Sequence, residues 1–492
     1  MQLQLLLALM AGASMPLAFA PFAFWPIALL APAALIYQAT LCDQTRQNFM
    51  LGFSFGLGYF GFGVSWIYHS LHVYGHAPAF VAGGLTLLMI VVLSCFIGAV
   101  LALFHRVKIR HPSIVNLWFL PLLWFSLEWL KGWVLTGFPW LSLGYAHLHS
   151  PLSGFAPIVG VYGVGSVSLL ISVLLVKWKL EKAHLYVLPI ILLGLMGYGL
   201  QHLEWTKPSG QALDVTLVQG NIDQDKKWRR DERLNILSTF WNATKKSFPS
   251  DLIVWPEVAI PGRQDELNQS VLLPISEQMK NNNSQLLTGI LVSDIAKGGY
   301  YNSMIMLGEQ TGQYHKRHLV PFGEYYPFRD LLQFMKQFIR IPMTDTLSGD
   351  DVQPLMSIKG VKLGVSICFE DVFSRDINLD LPEANILINT SNDAWFGDSL
   401  APHQHLEIAQ MRSLETERPM VRATNTGKSA FIDSKGKLMS ETEQFKEQTL
   451  SATVQGRAGA TPFIFFEKIQ SWLAWIIILI SVYFAYRPEQ KA

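Results

Sequence analysis

The stretch GVSICFEDVF, residues 364–373, is an apolar run that ends at a thiol and two carboxylates. Apolar and β-branched residues bounded by turn formers favour extended backbone, so 364–367 read as a buried strand. Cys368 then stands at the strand's carboxyl end, with Glu370 two positions on. A cysteine in such a place is commonly a small buried hydrophobe. It is also where a nucleophile sits in layered α/β domains, whose ligand sites lie beyond strand carboxyl ends. The rest of the chain has to decide between the two.

Similar runs surround it: LDVTLVQG (213–220), DLIVWPE (251–257), QLLTGILV (285–292), YNSMIML (301–307), ANILINT (384–390), PMVRATN (419–425) and SAFIDSKG (429–436). Several are continuously apolar, as expected for strands covered on both faces. Helix-like stretches at 229–246 and 403–417 lie between some of them. The mixture predicts a layered α/β domain with helices over sheets. No Gly-rich phosphate loop follows a strand, and no internal repeat is visible.

The remainder of the chain has a different character. Of the 492 residues 50% are hydrophobic and only 15% charged, with a mean hydropathy of +0.26. Soluble domains carry roughly 25% charged residues, so the deficit predicts a membrane protein. A net charge of +1 without a dense Lys/Arg stripe excludes a nucleic-acid partner. Apolar runs long enough to span lie near 3–20, 22–41, 49–69, 79–104, 114–133, 158–176, 185–201 and 469–486. The expected organisation is a polytopic α-helical bundle of about eight spans. It divides as 1–204 (spans one to seven), 205–465 (an inserted soluble domain) and 466–492 (span eight and a tail). LAFA at 17–20 imitates a signal-peptide cleavage site, but no Lys or Arg precedes it and Pro21 follows. A retained helical hairpin is expected.

Basic residues set the orientation. HRVKIRH (105–111), KWKLEK (177–182), Arg46 and the tail with Arg487 and Lys491 fall on one side if the helices alternate; HSLHVYGHAP (69–78) has no Lys or Arg. The positive side is cytoplasmic, so both termini are expected inside and 205–465 outside. Cys42, Cys95 and Cys368 form no CxxC pair, which argues against a disulfide framework or a thiolate zinc site.

Three residues stand near strand ends. Glu257 follows IVWP, Lys316 lies in YHKRHLVPFGEYYP (314–327) and Cys368 closes GVSI. A carboxylate to take the thiol proton and an ammonium to face a tetrahedral oxyanion make covalent acyl chemistry available. Each also has a plain structural reading: a first-turn acid, a solvated basic cluster and core filling. Spacing alone does not bring the three together.

The order of WPE, a lysine before HLVPFGEYYPF (318–328), and CFED (368–371) resembles the Glu-Lys-Cys set of the nitrilase superfamily. Such a domain between the seventh and eighth spans is similar to the apolipoprotein N-acyltransferase family. The likeness extends through PFAFWPIA (21–28), GVSWIYHS (63–70), FPWLSLGY (138–145), VQGNIDQDKKW (218–228) and NTSNDAWFG (389–397). It implies a periplasmic αββα domain, multi-pass in the bacterial inner membrane, monomeric and without cofactor or metal. It also implies acylation of Cys368 by a phospholipid, phosphatidylethanolamine preferred, and transfer of the acyl group to a lipoprotein's N-terminal diacylglyceryl-cysteine. Glu257 would be the base and Lys316 the stabiliser of tetrahedral intermediates. Glu324 and Glu370 match acids needed near the site, Trp228 a loop tryptophan for substrate handling, and Asn302 a polar residue by the pocket. Phe369 stands where relatives commonly carry tyrosine, so a phenol hydroxyl cannot be required there, though its aromatic face can pack an acyl chain. YYPFRDLLQFMKQFIRIPM (325–343) reads either as an interfacial lid or as an ordinary amphipathic surface helix.

Three other readings compete. A membrane-anchored amidase would use the same three residues on a small amide, but one anchor would suffice. A transporter would use intramembrane charges such as Glu128 and Lys131. A metal site on His403 and His405 with His315 or His318 is disfavoured, because residues two apart on a helix point about 200° apart.

Overall fold

The computed structural model describes residues 1–111, 117–325 and 346–486. It forms two compact units. One comprises Met1–Tyr68, Ala79–Leu203 and Phe465–Ala492; the other His69–Pro78 and Glu204–Ile464. The stretch 325–343 lies, except for Tyr325, outside the described residues.

The first unit is helical. Among the described residues four helices are long and apolar enough to cross a membrane: Ala79–Arg110, Pro151–Glu181, His184–Gln201 and Pro462–Tyr486. A fifth crossing follows if the broken pair Thr45–Gly63 and Ile67–Tyr74 counts as one. The two runs expected as the first hairpin form the shorter apolar helices Gln2–Ala18 and Ile27–Thr40. The run expected at 114–133 gives a helix only over Leu120–Lys131, with 112–116 outside the described residues.

Small residues let these helices approach closely, as membrane helices do when apolar burial supplies no drive between them. A Cβ at Gly58 would lie 2.1 Å from the Leu9 carbonyl oxygen, and one at Gly12 would lie 1.9 Å from that of Phe55. Glu128 and Lys131 are both buried. Lys131 Nζ donates to the Trp140 carbonyl at 3.1 Å, and the Leu143 amide donates to Glu128 Oε1 at 2.7 Å. The two charges thus serve the non-helical main chain of FPWLSL, whose polar groups find no water once buried.

Among the described residues the second unit holds two large sheets and a two-stranded one, Thr206–Pro208 with Arg457–Gly459. In the first, strands run in the order Gln448–Val454, Leu213–Gln219, Leu252–Val254, Gln285–Asp294, Gly299–Leu307, Gly312–His315, with Thr346–Leu347 also paired to Gly299–Leu307. In the second the order is Met356–Ile358, Val361–Ile367, Ile386–Ser391, Met420–Thr424, Ala430–Ile432, Leu438–Glu441. Strands two to four of each sheet are parallel, and the remaining neighbours in each order are antiparallel. The sheets therefore repeat one order of strand directions, although the first edge strand comes last in the chain in one sheet and first in the other, and no repeat is visible in the residues.

Alternating side chains explain the layering. Leu213, Val215, Leu217, Leu363, Val365 and Ile367 meet in one core between the sheets. Opposite-facing residues of the first sheet, such as Ile253 and Leu286, pack on Ile236 and Phe240 of the helix Arg233–Lys245. On the second sheet Leu387 and Met420 pack on Leu406 and Ala409 of the helix Ala401–Thr416. The result is helix, sheet, sheet, helix, with strands covered on both faces as their apolar runs require.

The helix approach gives a test with an internal control. Gly58→Leu must push the two helix backbones away from each other, whereas Gly61→Leu on the same helix has nothing within 4 Å of the added carbon. Gly58→Leu is expected to lower the thermal unfolding midpoint and folded yield in detergent, and Gly61→Leu to leave both near wild type.

Candidate active site

Glu257 leaves the carboxyl end of Leu252–Val254 through a tight turn. Val258 has φ +45°, a left-handed conformation that β-branched residues seldom adopt. The turn is pressed against the neighbouring strand, where a Cβ at Gly289 would come 2.1 Å from the Val258 nitrogen. Below it the buried Trp255 indole donates to Thr244 Oγ1 at 2.9 Å. The Glu257 carboxylate is held from two sides. Asn302 Nδ2 donates to Oε1 at 2.7 Å and the Asn392 amide to Oε2 at 3.0 Å.

Lys316 follows the strand Gly312–His315 and is 1% exposed. Its main-chain N–H donates to the Asn302 carbonyl at 2.8 Å, and the Gly349 N–H donates to its carbonyl at 2.7 Å. Its ammonium lies 3.0 Å from Glu324 Oε1 and 3.6 Å from Glu257 Oε1. Asn302 Nδ2 also reaches Glu324 Oε1 at 3.1 Å, and the Val320 amide donates to Glu324 Oε2 at 2.8 Å. Burial works against the Lys316 charge, but the carboxylates of Glu324 and Glu257 outweigh it and hold the ammonium above the ordinary lysine range.

Cys368 ends Val361–Ile367 and opens a 3-10 turn, Cys368–Val372, with φ +54°. A non-glycine residue there is strained, and the turn lifts the side chain off the line of the strand. The residue is partly exposed, while desolvation of the thiol and the nearby Glu257 carboxylate push its pKa up. Lys316 acts in the opposite direction without overcoming them. Desolvation and the Glu257 carboxylate both favour the protonated thiol at rest.

Glu370 fixes that turn. Its carboxylate accepts from the Ile367, Arg317 and His318 amides and from the Tyr314 hydroxyl. Burial pushes its carboxyl up to about 7, against the pull of Lys316 and of the amide donors. Phe369 packs edge-on to Phe373, with ring centroids 5.1 Å apart. Trp228 follows the short helix Gln224–Lys227 and is 41% exposed. Five expected residues thus join one network: Glu257, Lys316, Glu324, Asn302 and, through the 314–318 segment, Glu370. Electrostatic coupling links Cys368 to Glu257 and Lys316.

Behind the thiol lies a set that sequence reasoning missed. Arg422 donates to Asp371 at 2.9 Å and to Asp393 at 3.3 Å, and His405 bridges the same two carboxylates at 2.9 and 3.1 Å. Arg422 also bonds Asn389, which donates to the Cys368 carbonyl at 3.2 Å. His405 is thereby a partner of two aspartates rather than half of a pair with His403. The available signal was Arg422 itself, a charge within the apolar strand Met420–Thr424, where lone charges are rarely buried unpaired. The loop 69–78 belongs to this unit too: Ser70 Oγ donates to the Trp395 carbonyl at 2.7 Å and Tyr74 meets the Trp395 ring at 5.6 Å.

Comparison with known proteins supplies the family. Residues 214–463 match the carbon-nitrogen hydrolase family, and residues 11–174 match the N-terminal domain family of apolipoprotein N-acyltransferase. The apolipoprotein N-acyltransferase of Methylococcus capsulatus is 39% identical over 93% of this chain and 92% of its own. That of Nitrosomonas europaea is 38% identical over 96% of each. Among solved structures, a carbon-nitrogen hydrolase from Helicobacter pylori G27 covers 56% of this chain and 97% of its own, at 16% identity and a TM-score of 0.39. The assignment therefore rests on the two sequence relatives, which span nearly the whole length. The chain belongs to the apolipoprotein N-acyltransferase family.

Proposed function

We propose that this protein N-acylates the N-terminal diacylglyceryl-cysteine of lipoproteins by a two-step route through a thioester on Cys368, with a phospholipid as acyl donor. The observation that supports it best is the Lys316 ammonium, buried between Glu257 and Glu324 beside the strand end that carries the thiol. In the first step Cys368 Sγ attacks the ester carbonyl carbon while its proton passes to Glu257. Lys316 faces the oxyanion. Collapse expels the lysophospholipid alkoxide, which takes the proton from Glu257. In the second step the neutral α-amine of the acceptor attacks the thioester. Its proton goes to Glu257 and on to the departing sulfur, leaving an amide and the free thiol.

Glu324 and Asn302 would hold Lys316 and Glu257 in register, and Glu370 would hold the nucleophile turn. Trp228 and Phe369 offer aromatic faces for acyl chains. Phosphatidylethanolamine is the expected donor and a monomer the expected state.

The proposed division keeps 205–465 as the catalytic domain on the periplasmic side of the inner membrane, with 1–204 and 466–492 as membrane segments, eight crossings and both termini cytoplasmic. Supporting this, Arg106 Nε donates to the Ala485 carbonyl at 3.2 Å, so the basic end of Ala79–Arg110 lies level with the end of the last helix. Lys179 lies 4.3 Å over the Tyr37 ring, an arrangement suited to a membrane–water boundary.

Two measurements test these readings. Intact mass after incubation with a defined phospholipid is expected to rise by one acyl chain, removable by neutral hydroxylamine and absent in Cys368→Ser. Lys316→Met is expected to slow that gain by about 10²–10³-fold. Hydrolysis of a short amide without any acyl adduct would instead favour an amidase. In intact cells, an impermeant maleimide is expected to label Ser209→Cys and to spare Ala492→Cys; the reverse pattern would overturn the orientation.

A further inference from the structure

The lysine before Trp228 has no part in the steps above, yet it is buried in the same site. Lys227 closes the helix Gln224–Lys227 and is 5% exposed. Among the described residues its ammonium makes one hydrogen bond, 3.1 Å to the Glu257 main-chain carbonyl, and no ion pair. A buried ammonium without a direct counter-ion is costly to fold around, and such groups cluster where their charge is used. The negative group that acts on this one is the Glu257 carboxylate, joined by the Cys368 sulfur once that is ionised.

Its bond falls on the most strained part of the base. The Glu257 carbonyl leads directly into Val258, held at φ +45°. That peptide is also the one pressed against Gly289. A donor on the carbonyl fixes the peptide plane from which the Glu257 side chain departs.

We infer that Lys227 is a positioning residue of the first step, its ammonium fixing the Glu257 turn and its field favouring the Cys368 thiolate as the proton leaves. This rests on the reading of Cys368 as nucleophile. Burial pushes the Lys227 ammonium down to about 8, against the pull of Glu257 and Cys368. The charge is therefore present below about pH 8 and lost above it. The other groups around the sulfur are Glu257, Lys316 and Asp393 on neighbouring segments, the Ser391 hydroxyl, which donates to Asp393, and Glu370 and Asp371 on its own turn. Lys316 stays charged across this range. Any titration of Glu370 is common to wild type and variants and cancels in their ratio.

The test is alkylation of Cys368 by iodoacetamide in the full-length protein, followed by peptide mass spectrometry from about pH 6.5 to about 10, since the thiolate is the reacting species. Wild type is expected to react about tenfold faster than Lys227→Met below pH 8, the equivalent of one pKa unit. That ratio should fall toward one as Lys227 loses its proton. Lys227→Arg keeps its charge, so its advantage over Lys227→Met should persist at high pH. A ratio independent of pH, or an arginine variant as slow as the methionine one, overturns the inference. If Lys227→Met fails to fold, wild type against Lys227→Arg still decides, because their ratio must fall above about pH 8 and a flat ratio contradicts the role. Absence of an acyl adduct in wild type would remove the nucleophile reading itself. A wild-type adduct with a flat alkylation ratio would remove only the role of Lys227.

Discussion

The site depends on the carboxylate of Glu370. It is fully buried and accepts from the main-chain N–H of Ile367 on the strand that ends at Cys368, from two on the segment carrying Lys316, and from the Tyr314 hydroxyl. These donors come from different sheets, so one side chain sets the separation between the thiol and the ammonium. Loss of that acceptor would strand several buried donors, each at a cost of about 1–3 kcal/mol. Both the strained thiol turn and the tied lysine loop need such an anchor. A residue that touches no substrate can therefore be as necessary as one that does.

Around that anchor the charges are arranged to prevent idle reactivity. The thiol is kept protonated by desolvation and by Glu257, so it is a poor target for chance oxidation or alkylation. Lys316 is kept fully charged by its two carboxylates. On the proposed mechanism the tetrahedral oxyanion would meet a cation already in place and needing no rearrangement, the condition under which electrostatic stabilisation is most effective.

Much of this was legible in the residues, for particular reasons. WPE, the lysine before HLVPFGEYYPF and CFED each end or follow a strand, so apolar periodicity located them. Their order supplied the family likeness. Glu324 and Asn302 were reachable only through that likeness: Asn302 meets Glu257 from 45 positions away, and Glu324 is folded back onto Lys316, eight residues earlier, by a loop that has no periodicity to read. The ring of Asp371, Arg422, Asp393 and His405 was not legible: its members lie on four separate elements, and a histidine between two aspartates leaves no spacing pattern. The repeated order of strand directions was hidden because many different apolar residues satisfy the same pair of faces. In the helical unit, hydropathy found the apolar runs. It could not tell that Leu120–Lys131 would stop at twelve residues and spend Glu128 and Lys131 on the buried main chain of FPWLSL.

The central claim is that one sulfur carries the acyl group between two lipid substrates, and a single-turnover chase tests it most directly. Acylated protein, freed of phospholipid, is mixed with a synthetic diacylglyceryl-cysteine peptide, and both masses are followed. The account predicts that the acyl mass leaves the protein and appears on the peptide's α-amine as an amide, one for one. Persistence of the adduct, or its loss to water without any acylated peptide, would contradict it.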